Sequence, residues 1–172
     1  MITLFSNNFN NKYQHIYDSL TQCIHLFSLK CPCGHSGHCI RYGFYTRSIK
    51  TPEGLVPLRI QRVLCKHCNH THALLLSSII PYSRILLRDA VTIIQLNSSK
   101  ELDEFMISNP LIDESNVSYI RKQYIKHWQQ RLLSENISFD DCLVFQCFSH
   151  FSRQFMQIKC IQNILYSFTN IT

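Results

Sequence analysis

Acidic residues are scarce in parts of this 172-residue chain where basic residues are common. Between residues 30 and 80, Glu53 is the single acid beside seven lysines and arginines, and residues 115 to 134 contain no acid. A solvated, soluble surface is the ordinary interpretation of a charge run, but a one-sided run on a small module favours a polyanionic partner. The charge distribution therefore predicts binding to nucleic acid.

Long apolar runs are also missing. No stretch of eighteen apolar residues occurs, which predicts that the chain has no membrane-spanning helix. The first thirty residues lack both the basic start and the unbroken apolar run of a signal peptide. We therefore expect a cytoplasmic protein with no membrane partner. In a reducing cytoplasm structural disulfides are rare and spaced cysteines more often bind metal, and the odd count of nine cysteines agrees with this.

Two stretches, CPCGHSGHC at 31–39 and CKHCNHTH at 65–72, hold five of the nine cysteines and five of the nine histidines. The C-x2-C spacing of the second stretch lets a tight turn aim two thiolates at one ion, as in a zinc knuckle. The first pair is one residue shorter, with a hairpin of suitable size before the second pair. Two cysteine pairs joined by a hairpin indicate a zinc ribbon, and the predicted Zn²⁺ ligands are Cys31, Cys33, Cys65 and Cys68.

Several alternatives stay open at this stage. Iron suits the same four thiolates, and a redox role for the C-x-x-C pair requires a βαβ setting that is not apparent here. Because the first knuckle is short, His35, His38 or Cys39 is an alternative ligand in place of Cys31 or Cys33. We expect the histidines of the second stretch to lie around the site or on the surface, namely His67, His70 and His72. The remaining cysteines are expected to be buried as small apolar side chains, namely Cys23, Cys142, Cys147 and Cys160.

Hydrophobic periodicity and turn signals predict a series of helices and strands. The turn sequence TPEG at 51–54 joins two runs rich in β-branched and aromatic residues, which predicts a hairpin. Ser98 and Glu101 form a capping box, and Pro81 suits the first position of a helix. The predicted elements are a helix over 10–28, strands over 39–49, 56–64 and 72–76, a helix from 81 to about 95, a short helix after Ser98 ending before Asn109-Pro110, and a basic helix over about 115–133.

These elements predict an α+β fold, in which a small zinc-ribbon β-hairpin module is followed by a mostly helical, helix-turn-helix-like region. The predicted segments are an N-terminal helix at 1–29, the ribbon at 30–80, a three-helix region at 81–134 and a C-terminal packing segment at 135–172. In the last segment we expect one or two packing helices.

The stretch from CPCG through IRYGFYTRSIKTPEGLVPLRIQRVLCKHCNHTHALLLSSIIPYSRI resembles a zinc-ribbon domain. That domain belongs to an uncharacterised bacterial family related to the amino-terminal ends of insertion-sequence transposases. The later SNVSYIRKQYIKHW resembles the helix-turn-helix that follows in such proteins. The resemblance implies DNA binding and places the metal ligands at the same four cysteines.

The sequence predicts no enzymatic activity and no small-molecule substrate. A transposase catalytic domain needs three separated carboxylates, for which the chain has no room, and the deaminase signature is absent. We expect a mobile-element-derived DNA-binding protein, with a zinc-dependent adaptor for a protein partner as the alternative. The predicted nucleic-acid contacts are Arg41, Arg47, Arg59, Arg62, Asn116, Ser118, Tyr119, Arg121, Lys122 and Lys126.

Overall fold

The computed structural model describes residues 1–6, 13–159 and 162–167. In this part of the chain the structure has five strands and six helices, and a run of three strands is followed by a run of five helices, as is typical of an α+β fold. The strands are β1 (Ile2–Leu4), β2 (Cys39–Thr51), β3 (Gly54–Cys65), β4 (Thr71–Leu76) and β5 (Ile164–Tyr166). The helices are α1 (Tyr13–Gln22), α2 (Leu87–Gln95), α3 (Ser99–Ser108), α4 (Glu114–His127), α5 (Gln129–Ser134) and α6 (Leu143–Phe151).

The strands form one sheet in the order β2-β3-β4-β1-β5. The first three are antiparallel, whereas β1 pairs in parallel with β4 on one side and with β5 on the other. The sequence analysis predicted β2, β3 and β4 but neither β1 nor β5. The predicted ribbon thus shares its sheet with strands from distant parts of the sequence.

The predicted hairpin is confirmed. Residues Thr51 and Gly54 pair across a two-residue turn, and the ladder runs back to Cys39 opposite Cys65. One irregularity lies between Arg41 and Phe44, where Gly43 has φ +65°. Glycine adopts this left-handed conformation without steric cost, so it suits a β-bulge that bends the outer strand.

Helix α1 is anchored to the sheet by side chains that bond to strand backbone. Gln14 accepts from the backbone N–H of Arg59 at 2.7 Å. The buried Tyr17 hydroxyl accepts from the N–H of Gln61 and donates to the carbonyl of Leu74, both at 2.8 Å. Tyr17 therefore links β3 to β4 beyond the last pair of their ladder.

The prediction that this helix continues to residue 28 was wrong, and its predicted residues 10–12 lie outside the described part of the chain. The helix ends at Gln22, after which short turns bury Ile24 but leave Phe27 84% exposed. The apolar spacing of these two residues is compatible with a helix, but packing against the sheet requires the chain to turn.

The prediction of a helix beginning at Pro81 was also wrong, because α2 begins at Leu87. Residues before it form a loop closed by a bridge between Ile79 and Leu86. The Arg47 guanidinium donates to the carbonyls of Ile80 and Ser83 in this loop. These tertiary bonds compete successfully with the local preference for helix.

The next two helix starts follow local rules. Both hydrogen bonds of the predicted capping box, between Ser98 and Glu101, are present. Helix α4 begins one residue earlier than predicted, with Asp113 as its N-cap. It is interrupted at the buried Trp128, after which α5 continues to Ser134. No helix in the described residues is long and apolar enough to cross a membrane.

The helices surround a second hydrophobic core centred on Trp128, whose ring contacts Phe155 with centroids 5.3 Å apart. The predicted C-terminal packing helix is present as α6, and its Cys147 is buried as expected. The same expectation was wrong for Cys23 and Cys142, which are exposed. Cys160 lies outside the described residues.

A buried network of uncharged polar side chains ties β1 to the C-terminal segment. The Thr3 hydroxyl lies 3.3 Å from Oε1 of Gln154 and 3.2 Å from Oδ1 of Asn163. The Gln154 amide donates to the carbonyls of Ser77 and Ile79, just after β4. Because buried polar groups are costly unless paired, this network specifies how the segment packs on the sheet.

Replacing Tyr17 by Phe is expected to lower the free energy of unfolding by about 1–3 kcal/mol, because two buried backbone groups each lose their partner. Urea unfolding followed by circular dichroism measures this change. Tyr119→Phe serves as the control, since Tyr119 is 53% exposed, and should change the stability little. Equal stability of Tyr17→Phe and the wild type would contradict the anchoring role of Tyr17.

Candidate metal centre

Four cysteines from two separate loops converge at one end of the hairpin. The thiol sulfurs of Cys31, Cys33, Cys65 and Cys68 all lie within 4.8 Å of one another. The Cys31 and Cys68 sulfurs are 3.7 Å apart, and those of Cys33 and Cys65 are 3.9 Å apart. The structure thus brings together the four cysteines predicted as metal ligands.

The first loop is a tight turn despite its short spacing. The backbone N–H of Cys31 donates to the carbonyl of His35, and the N–H of Gly34 donates to the carbonyl of Cys31, both at 2.8 Å. Gly34 has φ +94°, a conformation that other residues adopt only with strain. The glycine after the second cysteine therefore lets a C-x-C pair turn sharply enough to aim both sulfurs inward.

The second loop closes in the same manner with one more residue. The N–H of Cys65 donates to the carbonyl of His70 at 3.0 Å, and the N–H of Asn69 donates to the carbonyl of Cys65 at 2.8 Å. Asn69 takes the left-handed position with φ +57°, which asparagine tolerates better than most residues. The backbone of Lys66 donates to the carbonyl of His38 at 2.8 Å, which ties the two loops together.

The sulfur positions fit a tetrahedral ion. With metal–sulfur bonds of about 2.3 Å, the sulfurs of a regular tetrahedron are about 3.8 Å apart. Two of the sulfur separations, 3.7 and 3.9 Å, lie on either side of this value, and all of them lie within 4.8 Å. The donor set and its geometry can therefore hold a metal ion of tetrahedral preference.

Electrostatics at the cluster also favour a cation. Burial raises the pKa of Cys31 well above its usual range. Burial also acts to raise the pKa of Cys65. Hydrogen bonds from the backbone N–H groups of Cys68 and His67 and from the neighbouring thiols outweigh burial, so the pKa of Cys65 is lowered to about 7. One thiolate thus forms readily, whereas four adjacent thiolates repel one another unless a cation compensates them.

The alternative ligands do not join this group. Cys39 lies opposite Cys65 in the ladder, and burial together with the Cys65 thiol raises its pKa to about 11. Nδ1 of His35 lies 3.7 Å from the Cys33 sulfur, and the His35 ring stacks on His67 with centroids 3.5 Å apart. His38 is exposed beside this stack.

One histidine contacts a predicted ligand directly. Nε2 of the half-buried His72 lies 3.2 Å from the Cys31 sulfur. Burial, followed by the nearby α-amino group of Met1, lowers the pKa of His72 to about 4. A neutral His72 is therefore available to donate a hydrogen bond to the sulfur, which orients the ligand and partly offsets its charge. The sequence analysis placed His72 around the site or on the surface and did not indicate this contact.

The predicted nucleic-acid contacts on the hairpin differ in exposure. Arg59 is exposed, with its guanidinium 3.9 Å from the Phe44 ring centroid. Arg41 is exposed but donates to the carbonyl of Thr21 at 3.1 Å. Arg62 is half-buried beside Tyr42, and the loop-binding Arg47 is half-buried as well. The exposed arginines of this hairpin are thus Arg41 and Arg59.

The predicted contacts on α4 divide in the same way. Arg121 donates to the carbonyls of Ile93 and Leu96 at the end of α2, at 3.1 and 2.6 Å. Asn116 forms a capping box with Asp113, and its Oδ1 accepts from the Lys50 ammonium at 2.6 Å. Both side chains therefore contribute to packing. The remaining predicted residues of this helix are exposed, namely Ser118, Tyr119, Lys122 and Lys126.

The chain matches no protein-family model, no curated protein and no solved structure. Its relation to transposase ribbons therefore stays a hypothesis based on motifs, and the geometry of the four sulfurs is what supports a metal centre.

The double variant Cys65→Ser/Cys68→Ser should lose the bound metal, because only one of its knuckles still offers thiolates. Elemental analysis of protein purified without added metal is expected to give about one ion per wild-type chain and about none per variant chain. The matched control is Cys23→Ser/Cys142→Ser, which removes two exposed cysteines and should retain the ion. A folded wild-type protein without metal would exclude the site.

Metal affinity should fall as the pH falls below about 7, because protons compete with the ion for the thiolates. Because the pKa of Cys65 is about 7, even this thiolate binds a proton in acidic solution. Competition with a chromophoric chelator over a pH series measures the dependence. An affinity that stays constant between about pH 7 and 5 would contradict a thiolate site.

Proposed function

We propose that this protein is a zinc-binding, DNA-binding protein related to the ribbon regions of insertion-sequence transposases, without a catalytic domain. The observation that carries the proposal is the convergence of four cysteine sulfurs at the end of a basic hairpin. In this proposal the ion is structural and has no part in a reaction.

Zinc is the ion that the donor set favours. Four thiolates in a tetrahedron are typical of structural zinc sites, and iron is the competing occupant. Cys31 and Cys65 belong to the core cluster of the sheet, together with Leu29 and Val63. Zinc binding would contribute on the order of 10 kcal/mol to folding, so it would stabilise this core directly.

The charge distribution supports a polyanionic partner. Exposed basic side chains lie on both parts of the molecule: Arg41, Arg59 and Lys66 on the ribbon, and Lys122 and Lys126 on α4. Glu53, at the far turn of the hairpin, is the single acid between residues 30 and 80. Clustered cations of this kind bind phosphates and release counterions from DNA.

An alternative function is a zinc-dependent adaptor for another protein. Four large apolar residues are exposed, which favours this alternative. Their exposed fractions are 84% for Phe27, 80% for Ile107, 67% for Leu133 and 63% for Ile125. Single exposed apolar residues are common on soluble proteins, so they carry less weight than the charge. Size-exclusion chromatography of the protein mixed with DNA distinguishes the two functions, because an adaptor protein would not coelute with the DNA.

The affinity for duplex DNA should fall steeply with salt if the basic surfaces contact phosphates. For about six contacts, the logarithm of the affinity falls with the logarithm of the salt concentration at a slope near −5, about −0.9 per contact. Removing two exposed cations, in Lys122→Ala/Lys126→Ala, should make the slope shallower by about 2. Fluorescence anisotropy with a labelled duplex at several salt concentrations measures both values.

The metal-free double variant tests whether the ion and DNA binding belong together. We expect Cys65→Ser/Cys68→Ser to lose duplex binding, whereas Cys23→Ser/Cys142→Ser should bind as the wild type does. A zinc-loaded wild type with a salt slope near zero would refute DNA binding through phosphates.

A further inference from the structure

A basic groove runs across the sheet from the cysteine cluster to the loop before α2. Two neighbouring cavities form it, one of about 560 Å³ and one of about 450 Å³, and both are bordered by Ala73 and Tyr82. The first extends past Tyr45 to Arg84, and the second reaches the metal ligands Cys33 and Cys68. No described residue that borders either cavity carries a carboxylate side chain.

Tyr82 occupies an unusual position where the two cavities meet. Its backbone is left-handed, with φ +63°, and 61% of the residue is exposed. A bulky aromatic residue rarely adopts this conformation, which costs free energy, and such strain is retained chiefly where the surrounding structure imposes it at functional sites. The Tyr82 side chain is thus largely exposed although its backbone is strained.

The surrounding loop holds Tyr82 in place. Arg47 donates to the carbonyls of Ile80 and Ser83 on either side of it. The carbonyl of Arg84 accepts from the backbone of Lys50 in β2 at 2.8 Å. The loop's bonds to β2 therefore hold the Tyr82 backbone where the two cavities meet.

Cations lie near the ring. The Lys159 ammonium is 4.9 Å from the ring centroid, and the exposed Arg84 borders the first cavity together with Tyr82. An exposed aromatic ring near cations matches the chemistry that binds single-stranded nucleic acid, in which a base stacks on the ring and phosphates meet the cations. Bases within a duplex are already stacked and do not offer this contact.

We infer that this groove binds one unpaired nucleic-acid strand, with a base stacked on Tyr82 and the backbone beside Arg84 and Lys159. The inference rests on the proposed function, since it assigns a surface and a strand type to a nucleic-acid-binding protein. It places the unpaired strand next to the candidate metal centre.

Anisotropy of zinc-loaded protein with a labelled oligothymidine of about 15 nucleotides tests the inference, with an oligouridine of equal length to distinguish DNA from RNA. Tyr82→Gly should weaken binding about tenfold or more, because stacking is lost, while its thermal midpoint should not fall, because glycine accepts the left-handed backbone. Tyr82→Phe keeps the ring and should bind as the wild type does.

The matched control is Tyr42→Ala. Tyr42 is a comparable tyrosine, 49% exposed and with an arginine 5.9 Å from its ring centroid, but it does not border the groove. This variant should keep its affinity. Unchanged binding by Tyr82→Gly, or an equal loss in Tyr42→Ala, would overturn the assignment.

Photocrosslinking with a bromodeoxyuridine-containing single strand gives a second readout that does not depend on variants. We expect adducts on the peptide that contains Tyr82, and adducts confined to α4 would refute the groove. Duplex binding is measured in parallel. If the wild type binds the duplex but Tyr82→Gly leaves single-strand binding unchanged, the groove alone is refuted. Absence of binding to both duplex and single strand would refute the proposed function as well.

Discussion

The convergence of four sulfur atoms constrains the surrounding structure more than any other interaction. Cys31 and Cys33 come from the loop after α1, whereas Cys65 ends β3 and Cys68 lies in the turn before β4. An ion bound to all four would fix the entry to the hairpin and its exit relative to each other. The register of β2 against β3, with Cys39 opposite Cys65, brings the two loops into position.

Short-range chemistry predicted much of the fold and the site. The C-x2-C spacing, the TPEG turn and the Ser98–Glu101 box act within a few residues, and each is present as expected. The four cysteines of the cluster could be named because knuckle geometry is local and Gly34 follows the shortened pair. Hydrophobic periodicity located α4, in which Val117 and Ile120 are buried.

The features that the sequence analysis predicted wrongly or missed depend on contacts between residues far apart in the sequence. Pro81 has the local properties of a helix start, but Arg47 holds the carbonyls near it in a loop. The strands β1 and β5 contain three residues each, which is too short to give a period, and their partners are far away in sequence. Likewise, nothing near Arg121 or Asn116 in the sequence shows that each bonds to a distant backbone or side chain. No sequence pattern marked Tyr82 as a candidate functional residue, because a strained backbone is visible only in three dimensions.

The position of β1 between two parallel neighbours affects the order in which the molecule assembles. Thr3 and Asn163, which share a buried hydrogen bond, are 160 residues apart. At a synthesis rate of about 5–20 residues per second, β1 waits on the order of 10 to 30 seconds for its second neighbour. The four cysteines span residues 31 to 68, so they are all synthesised well before β5. An ion bound by these cysteines would therefore be captured before the sheet closes, and the hairpin would act as the early template onto which the last strand is added.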